Sequence, residues 1–200
     1  MLIAGLTGGM GCGKSFVARA LADLGCHVIE ADELGHEVLL PGGDAFAPVV
    51  AAFGPGILDA EGRIGRAALA ARVFGHPGEL AKLNAIVHPA VRGLAMRRMR
   101  EIGARDPHAV IVYVAAILFE SGAYRDVGKV IVVSCTREQQ IARSMERPGA
   151  TEADVLARLE RQMPLEEKKK RADYLIDTSG TKEDTLRQTR LIWEDLKRQA

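Results

Sequence analysis

The stretch LIAGLTGGMGCGKSFVARALADL, residues 2–24, decides the fold of this chain. Its first five residues form an apolar run that is too short for a helix and is typical of a buried strand. The apolar residues after Lys14 recur at helical spacing, so we expect a helix there. Between strand and helix, residues 8–15 (GGMGCGKS) fit the pattern G-x-x-x-x-G-K-S/T at every fixed position. The strand, the glycine-rich turn and the helix together predict a P-loop.

A P-loop implies a bound nucleoside triphosphate. Glycines let successive backbone N–H groups turn inward around a phosphate, and the positive end of the following helix points to the same place. Lys14 adds a positive charge for the β- and γ-phosphates, and the Ser15 hydroxyl is placed to ligate Mg²⁺. A glycine-rich turn without a ligand is the alternative, but a complete motif in this context is far more specific. The predicted nucleotide-binding residues are Gly8, Gly9, Gly11, Cys12, Gly13, Lys14, Ser15 and Phe16.

Composition limits the class of protein. The length of 200 residues suits one domain with lobes inserted in it. The 27 basic and 26 acidic residues leave a net charge of +1, which argues against a nucleic-acid or membrane surface. No apolar run is long enough to span a bilayer, and the N-terminus runs directly into the strand, so we expect no signal peptide. Three cysteines without metal-ligand spacing indicate reduced thiols in a cytoplasmic protein.

Short apolar runs alternate with helical patterns along the chain. After the first strand they lie at residues 26–30, 109–116, 129–134 and 174–176. This alternation predicts an α/β fold with a parallel five-stranded sheet flanked by helices. The predicted core of this single domain comprises residues 1–33, 108–136 and 172–200.

Two helical segments interrupt this core. Residues 34–107 contain several helical patterns and no convincing strand, which predicts an inserted lobe for a second substrate. Residues 137–171 are polar and dense in charge, which predicts a lid. Arginines on a mobile segment can close over phosphates, neutralise their charge and exclude water. The alternative for this segment is a pair of solvated helices. Its cations include Arg143, Arg147, Arg158, Arg161, Lys168, Lys169, Lys170 and Arg171.

Asp32 is the candidate catalytic base. It follows the second predicted strand, at the edge of an α/β sheet where ligands gather. A carboxylate there can accept a proton from an attacking hydroxyl, or hold Mg²⁺ through water. The structural alternative is that Asp32 is the N-cap of the next helix.

The chain resembles the dephospho-CoA kinase family from end to end. The matching residues are 5–15 (GLTGGMGCGKS), 28–32 (VIEAD), 62–66 (GRIGR), 83–89 (LNAIVHP), 118–120 (LFE), 158–162 (RLERQ) and 172–177 (ADYLID). The P-loop is shared with many kinases, but the His-Pro and Ala-Asp-Tyr elements are more selective.

The resemblance implies a P-loop kinase that transfers the γ-phosphate of ATP, with Mg²⁺, to the ribose 3′-hydroxyl of dephospho-CoA. The products are coenzyme A and ADP, and this is the last step of coenzyme A synthesis. The inserted lobe would bind the CoA moiety, and we expect a monomer or a small homo-oligomer. By position, Lys14 and Asp32 would be catalytic, with Arg143 and Arg147 as lid contacts to the ATP phosphates. Asp32, Arg66 and His88 would border the acceptor.

Two other functions stay open from the sequence. One is a kinase of the same architecture that acts on a nucleoside monophosphate or a metabolite alcohol, which the His88-Pro89 element disfavours. The other is a GTP-dependent switch that regulates a partner. Against the switch, the sequence has no Asn-Lys-x-Asp element after a core strand, and a lid rich in arginines suits transfer better.

Some positions depart from the family pattern. Cys12 stands where the family usually has Ser, and Phe16 replaces a usual Ser or Thr. Thr178 replaces an Asn after the last strand, which leaves the adenine-side contact open. Because Cys12 lies beside a helix N-terminus and Lys14, a lowered thiol pKa and sensitivity to oxidation are one hypothesis. The alternative is that Cys12 is only a small residue.

Overall fold

The computed structural model describes residues 1–73, 75–146 and 148–200. The chain divides into two compact units. The first comprises Met1–Glu30 and Glu101–Ala200, and the second comprises Ala31–Arg100. For comparison, the sequence places the inserted lobe at residues 34–107.

A five-stranded sheet forms the centre of the first unit. Its strands are β1 (Leu2–Gly8), β2 (His27–Glu30), β3 (Val110–Val114), β4 (Lys129–Ser134) and β5 (Tyr174–Asp177). The strand order is β2-β3-β1-β4-β5, and every neighbouring pair is parallel. The predicted parallel sheet is therefore confirmed, with β1 at its centre.

Helices follow and separate these strands. In the part of the chain that the structure describes they are α1 (Lys14–Asp23), α2 (Ala31–Glu37), α3 (Phe46–Phe53), α4 (Arg66–Val73), α5 (Pro77–Arg105), α6 (Arg137–Met145), α7 (Glu152–Arg161), α8 (Leu165–Lys169) and α9 (Lys182–Gln199). Two single 3₁₀ turns lie at Pro55–Ile57 and Ala123–Asp126. None of these helices combines the length and the apolar character needed to cross a membrane.

The buried core of the first unit explains why its strands are apolar runs in the sequence. All five residues of β3 are buried, as expected for a strand covered on both faces by helices. Helices α1 and α9 contact each other, and their apolar residues join the same buried cluster as β1, β3 and β4. Leu21 of α1 and Leu196 of α9 are both fully buried in this cluster. Strand β1 and helix α1, the two elements that the P-loop joins, are thereby packed into one buried core.

The second unit has its own apolar core. Val38, Val49, Phe53 and Ile57 are buried together, and partly buried residues of α5 pack against them. This cluster accounts for the helical apolar spacing of the region. Helix α5 spans 29 residues with Pro89 inside it.

Candidate active site

The P-loop joins β1 to α1. Strand β1 ends at Gly8 and α1 begins at Lys14, as the motif predicts. Gly11 has a φ of 76°, and a Cβ there would lie 2.5 Å from the carbonyl oxygen of Gln140. Gly13, the N-cap of α1, has a φ of 82°. Glycine is needed at both positions because other residues rarely adopt this left-handed backbone, and Gly11 has no space for a side chain.

The N-terminus of α1 is suited to an anion. No side chain caps it, and its first turn contains no acidic residue. The first N–H groups of a helix lack the carbonyl partner that later ones have one turn earlier, and the helix dipole favours negative charge there. A phosphate group can satisfy both conditions.

Lys14 and Ser15 open this helix. The half-buried Lys14 side chain folds back along the loop, and its Nζ donates to the carbonyl oxygens of Gly8 at 3.0 Å and Gly9 at 2.9 Å. The ammonium group therefore lies beside the glycine-rich turn. The side chain of Ser15 is exposed.

Polar residues outside the motif, Gln140 and Thr178 among them, form hydrogen bonds with the P-loop backbone. Gln140 of α6 is buried, and its Nε2 donates to the Met10 carbonyl oxygen at 3.2 Å. Thr178 follows β5, and its hydroxyl donates to the Cys12 carbonyl oxygen at 2.9 Å. From the sequence, Thr178 is recognised only as a departure from the family pattern, and Gln140 is not recognised as a residue of the site. Nothing in the residue types shows that these side chains reach a loop so distant in the chain.

The Cys12 side chain points away from solvent. It is fully buried, and its Sγ lies 3.5 Å from that of Cys135. Burial and the neighbouring Cys12 raise the pKa of Cys135 to about 12. Because thiol reactivity requires access and thiolate character, this burial argues against the oxidation hypothesis for Cys12.

Arg143 and the P-loop both form hydrogen bonds with Thr178. Its Nη1 donates to the Thr178 hydroxyl at 3.1 Å, and its Nη2 donates to the Thr178 carbonyl oxygen at 2.8 Å. The structure thus brings Arg143 to the residue that holds the P-loop. The other predicted lid arginine, Arg147, lies outside the described residues.

The predicted acceptor-side residues belong to the second unit. Asp32 lies in the first turn of α2, which begins at Ala31 directly after β2. It is therefore not the N-cap of that helix, and the capping alternative is wrong. Arg66 is the first residue of α4, and His88 lies within α5. All three side chains are exposed.

Lys168 differs from the expectation for its segment. The sequence places it among solvated or phosphate-facing cations, but its side chain is fully buried. Its Nζ lies 2.9 Å from the Glu120 carboxylate and donates to the Ala116 carbonyl oxygen at 2.7 Å. The interpretation of Lys168 as a solvated or phosphate-facing cation is wrong because these partners satisfy the ammonium group inside the protein.

The hydroxyl oxygen that the P-loop offers suits a hard cation whose other ligands include phosphate oxygens. Among the described residues, no three His, Cys, Asp or Glu side chains gather into a metal site. The exposed Ser15 hydroxyl, at the start of α1, offers the kind of oxygen ligand that Mg²⁺ prefers.

Known proteins resemble this chain along its length. The family model for dephospho-CoA kinase matches residues 2–184. A dephospho-CoA kinase of Geobacillus kaustophilus is 47% identical over 200 residues, covering 98% of this chain and 99% of that protein. One from Geobacter sulfurreducens is 45% identical over 193 residues, covering 96% of this chain and 98% of its own. The solved structure of dephospho-CoA kinase from Campylobacter jejuni has a TM-score of 0.75 and 26% identity, and covers 98% of each chain.

These matches agree with the P-loop geometry and with the parallel sheet, which together make this a P-loop kinase fold. The match spans both compact units and the segment between β4 and β5. The chain therefore belongs to the dephospho-CoA kinase family.

Proposed function

We propose how the residues of this chain carry out the reaction of its family. The chain is an ATP-dependent kinase that transfers the γ-phosphate of ATP to the ribose 3′-hydroxyl of dephospho-CoA. The products are coenzyme A and ADP, in the last step of coenzyme A synthesis. The family match over residues 2–184 is the observation that carries this conclusion. It favours this function over the two alternatives left open by the sequence.

The P-loop binds the phosphoryl donor. The backbone amides of the loop and the N-terminus of α1 would hold the ATP phosphates, and Lys14 would neutralise charge on the β- and γ-phosphates. When bound, Mg²⁺ would be held by the Ser15 hydroxyl and the phosphates, and it would neutralise their negative charge. The hydrogen bonds from the buried residues Gln140 and Thr178 support this role because they hold the loop backbone in place.

Asp32 accepts the proton of the attacking 3′-hydroxyl in this proposal. Its exposed carboxylate, in the first turn of the helix that follows β2, is accessible to an acceptor. Arg66 and His88 would contact the acceptor, and residues 34–107 would form the CoA-binding lobe.

Residues 137–171 act as the lid over the donor phosphates. The contact of Arg143 with Thr178 supports this role because it brings one arginine of the segment to the residue that holds the P-loop. A guanidinium group there would neutralise charge on the phosphates and help to exclude water. Arg147 takes a phosphate contact in the same proposal.

We assign the enzyme to the cytoplasm, as a monomer or a small homo-oligomer. The three free, buried cysteines suit a reducing compartment. Light scattering of the purified protein measures its oligomeric state.

Tracing the transferred phosphate tests the reaction. The enzyme is incubated with Mg²⁺, γ-labelled ATP and dephospho-CoA, and the product is treated with a nucleotidase specific for 3′-phosphates. We expect the label in coenzyme A, and the nucleotidase should release it. Label that resists the nucleotidase would contradict transfer to the 3′-hydroxyl. Label found only in free phosphate would indicate a hydrolase or a nucleotide switch instead.

A further inference from the structure

Lys168 occupies an unusual place for a lysine. Burial of an ammonium group is costly unless it is paired and hydrogen-bonded. Here one carboxylate and one carbonyl group satisfy it, at 2.9 Å from Glu120 and 2.7 Å from Ala116. The neighbouring Lys169 and Lys170 instead pair with glutamates three residues before them. Lys168 alone among these three connects its segment to the residues that follow β3.

Glu120 holds this segment at a second point. The same carboxylate oxygen that meets Lys168 accepts a hydrogen bond from the backbone N–H of Met163 at 2.8 Å. One side chain thus holds Met163, which precedes α8, and Lys168, which lies within α8. The position of the residue before Met163 is fixed in consequence.

That residue is Gln162, and it reaches the P-loop. Its Oε1 accepts a hydrogen bond from the backbone N–H of Met10 at 3.2 Å. Met10 lies between the glycines of the loop, next to Gly11 with its left-handed backbone. The amide orientation at Met10 therefore depends on where the end of α7 lies.

A second path leads from Lys168 to the same loop. The Ala116 carbonyl oxygen that accepts from Lys168 also accepts from the Thr7 hydroxyl at 3.3 Å. Thr7 is fully buried and directly precedes Gly8, the last residue of β1. Both paths from the buried lysine end at the P-loop.

We propose that Glu120 and Lys168 are positioning residues for nucleotide binding, and that they act through Gln162 on the Met10 amide. This inference rests on the proposed function of the P-loop as the ATP site. The Lys168–Glu120 pair holds the chain at the end of α7, and this places the Gln162 side chain against the Met10 N–H. The contact with Gln162 orients the loop, whose backbone amides then bind the phosphates. Loss of the pair weakens ATP binding through misplacement of Gln162.

A double-mutant cycle on the full chain tests this mechanism. Mg-ATP affinity is measured by calorimetry for Gln162→Ala, Lys168→Met and the double variant, together with kcat and KM in the dephospho-CoA reaction. The loss of one hydrogen bond predicts a dissociation constant raised about 3- to 10-fold by Gln162→Ala. Lys168→Met should raise it at least as much. The double variant should bind Mg-ATP no more weakly than Lys168→Met does, because the loss of Lys168 already disturbs the path that passes through Gln162.

Lys129→Met is the control. It makes the same chemical change at the start of β4, outside residues 137–171, where the partly exposed lysine lies 3.8 Å from the Asp173 carboxylate. We expect Mg-ATP affinity equal to that of the wild type. The kcat at saturating ATP should stay within about 2-fold for Gln162→Ala, since uniform binding and not the chemical step is affected.

Two results would overturn the inference. One is a Lys168→Met variant that is less stable but binds Mg-ATP as the wild type does, which would make Lys168 only structural. The other is a double variant whose loss equals the product of the single losses. If Lys168→Met does not fold, Glu120→Gln replaces it in the cycle, because it keeps an oxygen acceptor and removes the charge. A wild type that binds Mg-ATP but does not phosphorylate dephospho-CoA would refute the proposed acceptor and leave this cycle decisive.

Discussion

The guanidinium group of Arg143 donates two hydrogen bonds to Thr178, to its hydroxyl at 3.1 Å and to its carbonyl oxygen at 2.8 Å. The same hydroxyl donates to the Cys12 carbonyl oxygen at 2.9 Å. Thr178, which follows β5, thus contacts both the P-loop and Arg143 of the proposed lid. We therefore predict that Thr178 couples the P-loop to the proposed lid.

Thr178→Val tests this coupling. The change keeps the shape of the side chain but leaves the Cys12 carbonyl oxygen without this donor. An unsatisfied buried group costs about 1–3 kcal/mol, so we expect the KM for ATP to rise about 5- to 150-fold. Thr178→Ser is the control, because it keeps the hydroxyl and should keep the KM. Equal KM values for both variants would show that the hydroxyl has no role in ATP binding.

Lys14→Met removes the positive charge of the P-loop. Without it, charge on the transferred phosphoryl group is poorly neutralised, and loss of one such group lowers kcat about 10²- to 10³-fold or more. Steady-state ADP release with Mg-ATP and dephospho-CoA measures the effect. A kcat within about 2-fold of the wild type would refute a catalytic role for Lys14.

Asp32→Asn separates a base from a metal ligand. If Asp32 accepts the proton, kcat should fall about 10²- to 10⁴-fold while Mg-ATP affinity stays unchanged. Glu33→Gln is the matched control, since Glu33 is the next residue, exposed and in the same first turn of α2. Equal losses of Mg-ATP binding and rate in Asp32→Asn would instead identify a metal-site residue.

Buried thiols should resist modification in the folded protein. Burial raises the pKa of Cys26 to about 11, and burial with the neighbouring Cys12 raises the pKa of Cys135 to about 12. A raised pKa lowers the thiolate fraction at neutral pH, by about 10²-fold or more relative to a free cysteine. Reactivity should therefore increase only as the pH rises toward these values.

Mass spectrometry after iodoacetamide treatment measures this protection. At neutral pH we expect slow labelling of the native chain and rapid labelling of all three cysteines in guanidinium. Rapid labelling of the native chain, with loss of activity, would restore the hypothesis that Cys12 is a redox-sensitive residue.

The sequence predicted the sheet and the P-loop because each is encoded locally. A buried parallel strand is a short apolar run, and residues 8–15 carry their glycines, lysine and serine in one continuous motif. The resemblance added the family, which the comparisons confirm. These features require no knowledge of which distant residues meet.

The distant residues that hold the P-loop in place could not be predicted in this way. Gln162 and Met10 are 152 residues apart, and Gln140 and Met10 are 130 apart. A glutamine on a polar helix has the same pattern whether it contacts solvent or the P-loop. Lys168 shows the same limit, since a lysine in a charged run reveals its burial only when Glu120 is placed beside it.

The most direct test is a coupled ADP-release assay with Mg-ATP that offers dephospho-CoA, AMP and shikimate in parallel. We predict ADP release with dephospho-CoA, and none above the background rate with the other two acceptors. Release with AMP or shikimate, and not with dephospho-CoA, would contradict the assigned acceptor. Tight Mg-ATP binding without release for any acceptor would contradict kinase activity itself.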